Sequence, residues 1–335
     1  MLTASRIAVI GAGRMGELYA RMIDQHPLAE LAGLVCNTEV SAERLRGLFP
    51  EPVISGGDLA ALSAAVTGID AVIVATPEWA HLEPVRWAVD RGVPVLLEKP
   101  MAGNLAEALK IAELVDAASG LLTLCHIVRF DARYAALRQI VAMGNIGAVR
   151  QMYARRNADQ VAAARILGKC DPAFWLTPHD IDIMRWITGA EVVSVTAQTI
   201  AGGAAPSDGL FTDLRFSNGA IGRIENSWAA PPAHHSRNCL FDVQGDAGSV
   251  EVDAWSQGVV LRGGDDRTTS PNTTEVCEVN GRLVGACANM IDDFVQVTVT
   301  GRNPAVSMQD GLATIRVADA ISRAAASGGS VSLDA

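Results

Sequence analysis

The chain has 335 residues and a formal net charge of −10, and 49% of its residues are hydrophobic against 19% charged. This length favours two domains over one, and this composition excludes a globally disordered chain. An acidic protein repels phosphate backbones and anionic lipid, so we predict neither a nucleic-acid nor a membrane partner.

The start of the sequence and its cysteines carry no signal for export or for metal binding. The first six residues lead directly into an apolar run without the features of a secretory signal peptide. No apolar stretch approaches the ~18 residues of a membrane span. The six cysteines are scattered and none forms a CxxC pair. We therefore expect a cytoplasmic protein without a metal site.

The first part of the chain alternates short apolar runs with amphipathic segments of helical length, which is typical of a parallel α/β sheet. The run at 71–75 is apolar throughout, as expected for a central strand that is covered on both faces. The pattern predicts a helix over 105–118 and strands over 6–10, 31–36, 71–75, 94–97 and 121–125. We place a dinucleotide-binding domain of the Rossmann type over 1–124.

A glycine-rich turn follows the first predicted strand and opens the first predicted helix, with the sequence Gly11-Ala12-Gly13-Arg14-Met15-Gly16. In the GxGxxG pattern, the first glycine permits a tight turn and the second lets a pyrophosphate approach the backbone amides. The third glycine lets the helix pack close to the strand, and the helix N-terminus favours the phosphate charge. The turn therefore predicts a bound NAD or NADP.

The end of the second predicted strand bears on the choice between NAD and NADP. An NAD-binding chain carries Asp or Glu there, about 20 residues past the turn, but this chain has Cys36 and Asn37. Asn37 can bond either coenzyme. Arg44 or Arg46 either reaches a 2′-phosphate or is solvated on a helix. The sequence leaves the coenzyme open, with a mild lean to NADP.

The second half of the chain changes character, because its strands alternate apolar and polar residues. Leu214 and Phe216 interleave with charged residues, and Asn218-Gly219 is a strong signal for a hairpin turn. Such alternation is typical of an antiparallel sheet with one covered face. Helical patterns return near 284–299 and 308–326. We predict a substrate-binding and oligomerisation domain over 125–335, an α+β domain with a mainly antiparallel, open-faced sheet.

A charged pair ends a buried parallel strand at Glu98 and Lys99, and ligands bind at that edge of open α/β sheets. Together with the glycine-rich turn, the run Glu98-Lys99-Pro100 resembles the glucose–fructose oxidoreductase/inositol dehydrogenase (Gfo/Idh/MocA) family. Further segments carry the resemblance, which covers essentially the whole chain: 75–77, 126–134, 144–147, 154–157 and 179–189.

The resemblance implies an NAD(P)-dependent oxidoreductase that moves a hydride between nicotinamide and a secondary alcohol or ketone. The implied substrate is a sugar, a sugar derivative or a cyclitol, and the implied assembly is a homodimer or homotetramer. Lys99 would hydrogen-bond the substrate and the nicotinamide ribose, with Glu98 beside the ribose. The resemblance also suggests a cis Lys99–Pro100 bond. The residues lining the nicotinamide side would be Ala75, Thr76 and Pro77. His81 either joins them there or lies on a helix surface.

The run Thr177-Pro178-His179-Asp180 is typical of a helix start, with Thr177 as N-cap and Asp180 completing a capping-box-like arrangement. His179 then lies in the first turn, where the helix dipole disfavours an added positive charge. A neutral imidazole is what a general base requires. With the resemblance, His179 becomes the second predicted catalytic residue beside Lys99.

One departure from the family concerns the position four residues before His179, where an aspartate often stands and this chain has Trp175. Either His179 works with Lys99 alone or another acid enters, and Asp182 is one candidate. Trp175 is either an apolar plate for a sugar ring or part of the core. Arg129 either clamps an anionic substrate group or forms an ion pair. The predicted substrate contacts are Lys99, Arg129, Asn157, Trp175, His179 and Asp180.

Two alternatives stay open at the level of sequence. The first is an imine or non-sugar ketone reductase of the same fold, which the absent aspartate favours. The second is a non-catalytic, dinucleotide-responsive binding protein, which the presence of both Lys99 and His179 disfavours.

Overall fold

The computed structural model describes residues 3–159, 171–200, 208–230, 237–253, 259, 261–262, 268–269 and 272–333. Its contacts divide the chain into two compact units. The first unit comprises Met1–Ile127 and Glu275–Leu312, and the second comprises Val128–Thr274 and Ala313–Ala335. The predicted domain limits, 1–124 and 125–335, stay a prediction, and we note that the contacts group 275–312 with the N-terminal residues. No helix in the described ranges is long and apolar enough to cross a membrane.

The strands are β1 (Ser5–Ile10), β2 (Ala29–Val35), β3 (Val53–Ile54), β4 (Ala71–Val74), β5 (Val95–Leu97), β6 (Leu122–Leu124), β7 (Val149–Asp159), β8 (Val192–Ile200), β9 (Gly209–Phe216), β10 (Ile221–Ala230), β11 (Arg237–Gly245), β12 (Ser249–Asp253), β13 (Leu261–Arg262), β14 (Thr268–Thr269), β15 (Cys277–Val279), β16 (Arg282–Val284) and β17 (Val331–Ser332). The helices are α1 (Arg14–Asp24), α2 (Glu39–Arg46), α3 (Leu59–Ala65), α4 (Leu82–Val89), α5 (Leu105–Ala117), α6 (Ala132–Ala142), α7 (Pro172–Trp175), α8 (Thr177–Thr188), α9 (Ala286–Thr300) and α10 (Met308–Ser327).

The first unit contains a parallel sheet of six strands in the order β3-β2-β1-β4-β5-β6. This order is that of a doubly wound dinucleotide-binding fold, in which the direction of winding reverses between β1 and β4. All four residues of β4 and all three of β5 are buried, as their unbroken apolar sequences require. The predicted Rossmann fold is confirmed.

The segment 275–312 completes the first unit from far along the chain. Helix α9 packs against α1 and β1. The Gln25 side chain accepts a 2.9 Å hydrogen bond from the Leu283 amide, and the Thr123 hydroxyl donates a 2.5 Å bond to the Val306 carbonyl. The first unit therefore depends on two separate stretches of the chain.

The second unit contains a sheet of seven strands in the order β12-β11-β7-β10-β9-β8-β17. Only the central pair β7–β10 is parallel; the other described pairs are antiparallel. One face of the sheet is covered by α8, which contacts β7 and β10. The hairpin at Asn218-Gly219 joins β9 to β10, with Gly219 at φ +87°. The prediction of a mainly antiparallel sheet is confirmed.

Candidate active site

The glycine-rich turn between β1 and α1 has two positions that exclude any side chain. Gly11 has φ +94°, and a Cβ there would lie 2.5 Å from the Thr76 amide nitrogen. A Cβ on Gly16 would lie 2.4 Å from the Gly11 carbonyl oxygen. Both approaches are far inside van der Waals contact, so these glycines are required by the fold itself.

Gly13 differs, because a Cβ there would meet no atom within 4 Å. Gly13 caps α1 without a side-chain hydrogen bond to the helix. The amides of the first turn, Arg14, Met15 and Gly16, therefore have no partner within the helix and carry its partial positive charge. The open space beside these amide donors fits the pyrophosphate of a dinucleotide.

The two residues directly after β2, Cys36 and Asn37, carry no carboxylate. The Cys36 thiol is buried, and burial raises its pKa above the usual 9.0 even though the Thr38 carbonyl accepts from it. The Asn37 side chain is exposed. A neutral amide is thus the polar group that this strand end presents to a ribose.

Both arginines considered for a 2′-phosphate have carboxylate partners. Arg44 forms an ion pair with Glu17, and Arg46 lies 2.5 Å from Glu39. The Arg46 contact lowers the pKa of Glu39, which therefore stays ionised near neutral pH. A 2′-phosphate would have to compete with these acids for the arginines.

The loop after β4 is held by its own hydrogen bonds. The Thr76 hydroxyl donates to the Ala80 carbonyl at 3.1 Å. His81 is 1% exposed, with Nε2 2.9 Å from the Thr76 carbonyl and Nδ1 3.1 Å from the Met101 carbonyl. The interpretation of His81 as a helix-surface residue is wrong, because its ring joins the loop after β4 to the loop after β5.

Burial lowers the pKa of His81 below its usual 6.5, although the two carbonyls act in the opposite direction. The neutral ring can donate to only one carbonyl at a time. The ring therefore packs between the two loops and donates a hydrogen bond to one of them, and its predicted contact with the coenzyme stays a prediction.

The loop after β5 carries the predicted lysine. The Glu98 amide donates to the Val74 carbonyl, which extends the β4–β5 pairing by one residue. One carboxylate oxygen of Glu98 accepts from the Tyr19 hydroxyl, and the other accepts from the Lys99 amide at 2.9 Å. The Lys99–Pro100 bond is cis, as the resemblance suggested. The Lys99 side chain is half-buried.

In the second unit, α8 carries His179 in its first turn, and that side chain is half-buried. The predicted N-cap is wrong by one residue, because the helix includes Thr177 and its cap is Leu176. The Thr177 hydroxyl donates to the Asn226 side-chain oxygen at 2.7 Å. This long-range bond to β10 satisfies the hydroxyl in place of a capping bond.

The two acids of α8 are both engaged by arginines. Asp182 is fully buried and binds Arg129 in bidentate geometry, with contacts of 2.6 and 2.9 Å. Asp180 binds Arg156, with a shortest contact of 2.8 Å. Of the two interpretations of Arg129, the structure supports the ion pair. The sequence left Asp182 open as a further acid that acts with His179. The structure instead pairs Asp182 with Arg129.

Asn157 lies on the other face of the sheet. Adjacent strand residues point to opposite faces, and Arg156 points to α8. The Asn157 amide donates to Glu225 at 2.8 Å, and the Tyr153 hydroxyl donates to the second oxygen of Glu225 at 2.5 Å. The structure therefore does not bring Asn157 together with the α8 residues, and its substrate contact stays a prediction.

Trp175 packs beside a small apolar cluster. The cluster consists of Leu176 and Trp228, and Trp175 and Ala158 lie against it. Part of the indole therefore belongs to the core, while its half-buried remainder is compatible with a plate for a sugar ring.

The sequence analysis missed several polar residues that pair, within each unit, with predicted site residues. Tyr19, Glu225 and Asn226 were not among the predicted site residues. Glu225 and Asn226 are adjacent polar residues within β10, and such a pair is a weak signal that was available. The Tyr19–Glu98 pair spans 79 positions, and no local pattern reports such a contact.

Comparison with known proteins matches both parts of the chain to one family. Residues 5–126 match the oxidoreductase family with an NAD-binding Rossmann fold (GFO_IDH_MocA). Residues 134–251 match the GFO/IDH/MocA C-terminal domain. The two matches together cover well over half of the sequence.

Similar proteins span nearly the whole chain. Inositol 2-dehydrogenase of Rhizobium meliloti (strain 1021) is 26% identical over 330 residues, covering 96% of this chain and 97% of the relative. Inositol 2-dehydrogenase of Streptomyces avermitilis is 29% identical over 334 residues, covering 95% and 91%. The crystal structure of Lactobacillus casei scyllo-inositol dehydrogenase with NAD(H) and scyllo-inositol has a TM-score of 0.84 at 19% identity, covering 98% and 99%.

These comparisons do not favour the imine-reductase or the non-catalytic alternative. The glycine turn fits a dinucleotide, and both predicted catalytic side chains are present. The chain therefore belongs to the GFO/IDH/MocA family and is an NAD(P)-dependent oxidoreductase built on an NAD-binding Rossmann fold.

Proposed function

We propose that this chain oxidises a secondary hydroxyl of a cyclitol or a closely related sugar, in a reversible reaction. The observation that carries the proposal is the arrangement of the first unit, where the Gly13 turn, Thr76 and Lys99 each follow a strand at the carboxyl edge of one sheet. The names of the relatives, which are inositol dehydrogenases, support a cyclitol as the substrate class.

The reaction divides a secondary carbinol into a hydride, a proton and a ketone. When bound, the nicotinamide supplies the acceptor for the hydride of the carbinol carbon. The Gly13 turn and the α1 amides would hold the coenzyme phosphates. Lys99 donates a hydrogen bond to the reacting hydroxyl and keeps its oxygen in place. His179 takes the hydroxyl proton as general base.

We also propose that this proton transfer uses no carboxylate from α8. Asp182 and Asp180 each hold an arginine, and both carboxylates are buried. Removing either acid would leave a buried guanidinium uncompensated, which is strongly destabilising. Their arginine partners thus support a structural role for both acids.

A panel of cyclitols and sugars, followed at the nicotinamide absorbance with both coenzymes, tests the function. We expect Lys99→Ala and His179→Asn each to lower kcat/KM by about 10²- to 10⁴-fold, which is the usual contribution of a proton-transferring group. Lys110→Ala removes an exposed lysine of α5 and is the matched control. The proposal fails if wild-type protein reduces imines and oxidises no polyol, or if Lys99→Ala retains full turnover.

We propose NAD as the preferred coenzyme, which reverses the mild lean to NADP drawn from the sequence. The pairing of Arg44 with Glu17 and of Arg46 with Glu39 supports this choice. We expect Glu39→Gln to raise kcat/KM for NADP relative to NAD, because it frees Arg46 for a 2′-phosphate. Asn37→Asp should shift the ratio towards NAD by about tenfold through repulsion of the phosphate. A wild-type preference for NADP would contradict the proposal.

The homodimer or homotetramer also stays a proposal. The outward face of the second sheet carries Phe211 and Ile221, each 45% exposed, which supports a contact between copies. Sedimentation equilibrium that detects only monomer would rule it out. The cytoplasmic location expected from the sequence remains a prediction.

A further inference from the structure

Tyr19 is a polar residue buried deep inside the first unit. It lies on α1, six residues after the Gly13 cap, and its side chain is 0% exposed. A buried phenol hydroxyl requires a hydrogen-bond partner, and this one donates to Glu98. Because Tyr19 has no exposed surface, it cannot touch a substrate directly.

Glu98 connects Tyr19 to the lysine loop. Its first carboxylate oxygen accepts from Tyr19, and its second accepts from the Lys99 amide at 2.9 Å. A carboxylate is rigid and planar, so fixing one oxygen also fixes the direction in which the other accepts. The side chain thus links the helix that follows the glycine turn to the backbone that carries Lys99.

The surroundings keep Tyr19 in the donor form. Burial raises the pKa of Tyr19 well above 10.0, and the neighbouring Glu98 carboxylate raises it further. Burial also raises the pKa of the nearby Cys125 thiol well above 9.0. The hydroxyl therefore retains its proton at any pH at which the enzyme works.

We propose that Tyr19 is a positioning residue, which holds the Lys99 backbone in place through the Glu98 carboxylate. This inference rests on the proposed function, because Lys99 is the group that meets the substrate. It adds a residue that no sequence motif in this chain marks.

The first test is hydrogen–deuterium exchange at the Lys99 amide, measured in the segment 98–101, where Pro100 contributes no amide. We expect Tyr19→Phe to speed exchange at Lys99 at least tenfold. Tyr153→Phe is the matched control, because it removes the Tyr–Glu hydrogen bond to Glu225 in the second unit. That control should leave exchange at Lys99 within about twofold of wild type.

The second test is a double-mutant cycle on turnover. Tyr19→Phe should lower kcat by about 10- to 100-fold, since small misplacements of a catalytic group have effects of that size. It should change the KM for NAD much less. In the Glu98→Ala background, where the carboxylate is gone, Tyr19→Phe should change kcat less than twofold.

The outcomes separate this inference from the proposed function. If wild-type protein oxidises no polyol, the proposed function fails, while amide exchange still decides the role of Tyr19. Unchanged exchange at Lys99 in Tyr19→Phe, or full additivity in the cycle, overturns the inference. If Tyr19→Phe does not fold, Glu98→Gln should keep Lys99 exchange slow, because its amide can donate to the Tyr19 oxygen. Fast exchange in Glu98→Gln would then overturn it.

Discussion

Buried or half-buried side chains connect the loops of the first unit. The His81 ring lies between the Thr76 and Met101 carbonyls and donates to one of them, and Glu98 joins Tyr19 to the Lys99 amide. The His81 ring lies between the loops that follow two neighbouring strands, and the Tyr19–Glu98 pair links helix α1 to the loop after β5. At the scale of residues, the loops at the carboxyl edge are therefore connected by side chains as well as by the backbone.

The burial of His81 predicts a pH dependence of stability. Its folded-state pKa lies below 6.5, so below that pH the unfolded state binds a proton that the folded state does not. The free energy of unfolding should therefore decrease as the pH falls from 6.5 towards the folded-state pKa. Urea unfolding over this range should show the decrease in wild type and a flatter profile in His81→Gln.

His26→Gln is the control for that experiment. The His26 ring lies 3.0 Å from the exposed Asp292, so its removal should leave the decrease below pH 6.5 in place. An identical acid profile for wild type and His81→Gln would contradict the assignment to His81.

At the scale of elements, we expect the glycines of the β1–α1 turn to have different roles: Gly11 is needed for folding and Gly13 for coenzyme binding. Gly13→Ala places a methyl group in open space, so the free energy of unfolding should change by less than about 1 kcal/mol. The same methyl group occupies the space beside the α1 amides, so NADH affinity should fall tenfold or more, which is about 1.4 kcal/mol. Fluorescence titration with NADH and urea unfolding measure the two effects.

Gly11→Ala should show the opposite pattern. Its φ of +94° and the 2.5 Å approach to Thr76 should lower the free energy of unfolding by about 1–3 kcal/mol. A stable Gly11→Ala protein with weak NADH binding would show that the two glycines do not divide their roles in this way.

Much of the element order followed from local patterns. The glycine turn, the apolar runs of β4 and β5, and the Asn218-Gly219 hairpin each reflect interactions over a few residues. The N-cap of α8 was missed because Thr177 bonds to Asn226, 49 positions away. The partners of Arg129 and Glu98 were missed for the same reason, because a side-chain pair between distant elements produces no periodic pattern in the sequence.

At the scale of the whole molecule, the first unit is built from two separate stretches of chain. Met290, Phe294 and Val295 of α9 are each at most 1% exposed. We therefore expect residues 1–127 produced alone to lack a cooperative unfolding transition and to bind NADH weakly. Near-UV circular dichroism and NADH titration would measure this against the complete chain.

A variant in the complete chain gives an independent test of the same point. Phe294→Ala should lower the free energy of unfolding by about 3–5 kcal/mol, as expected for a large core side chain. A fragment 1–127 that unfolds cooperatively and binds NADH as the complete chain does would contradict the expectation.

Because the first unit consists of two stretches of chain, it can be completed only after the second stretch has been translated. Residues 1–127 leave the ribosome before α9 has been translated, and at about 5–20 residues per second the delay up to residue 312 is roughly 10–40 s. During that interval the apolar side of α1 is without its partner helix. The nascent N-terminal segment would be a client for chaperones, and the coenzyme site would mature only after nearly all of the chain had been made.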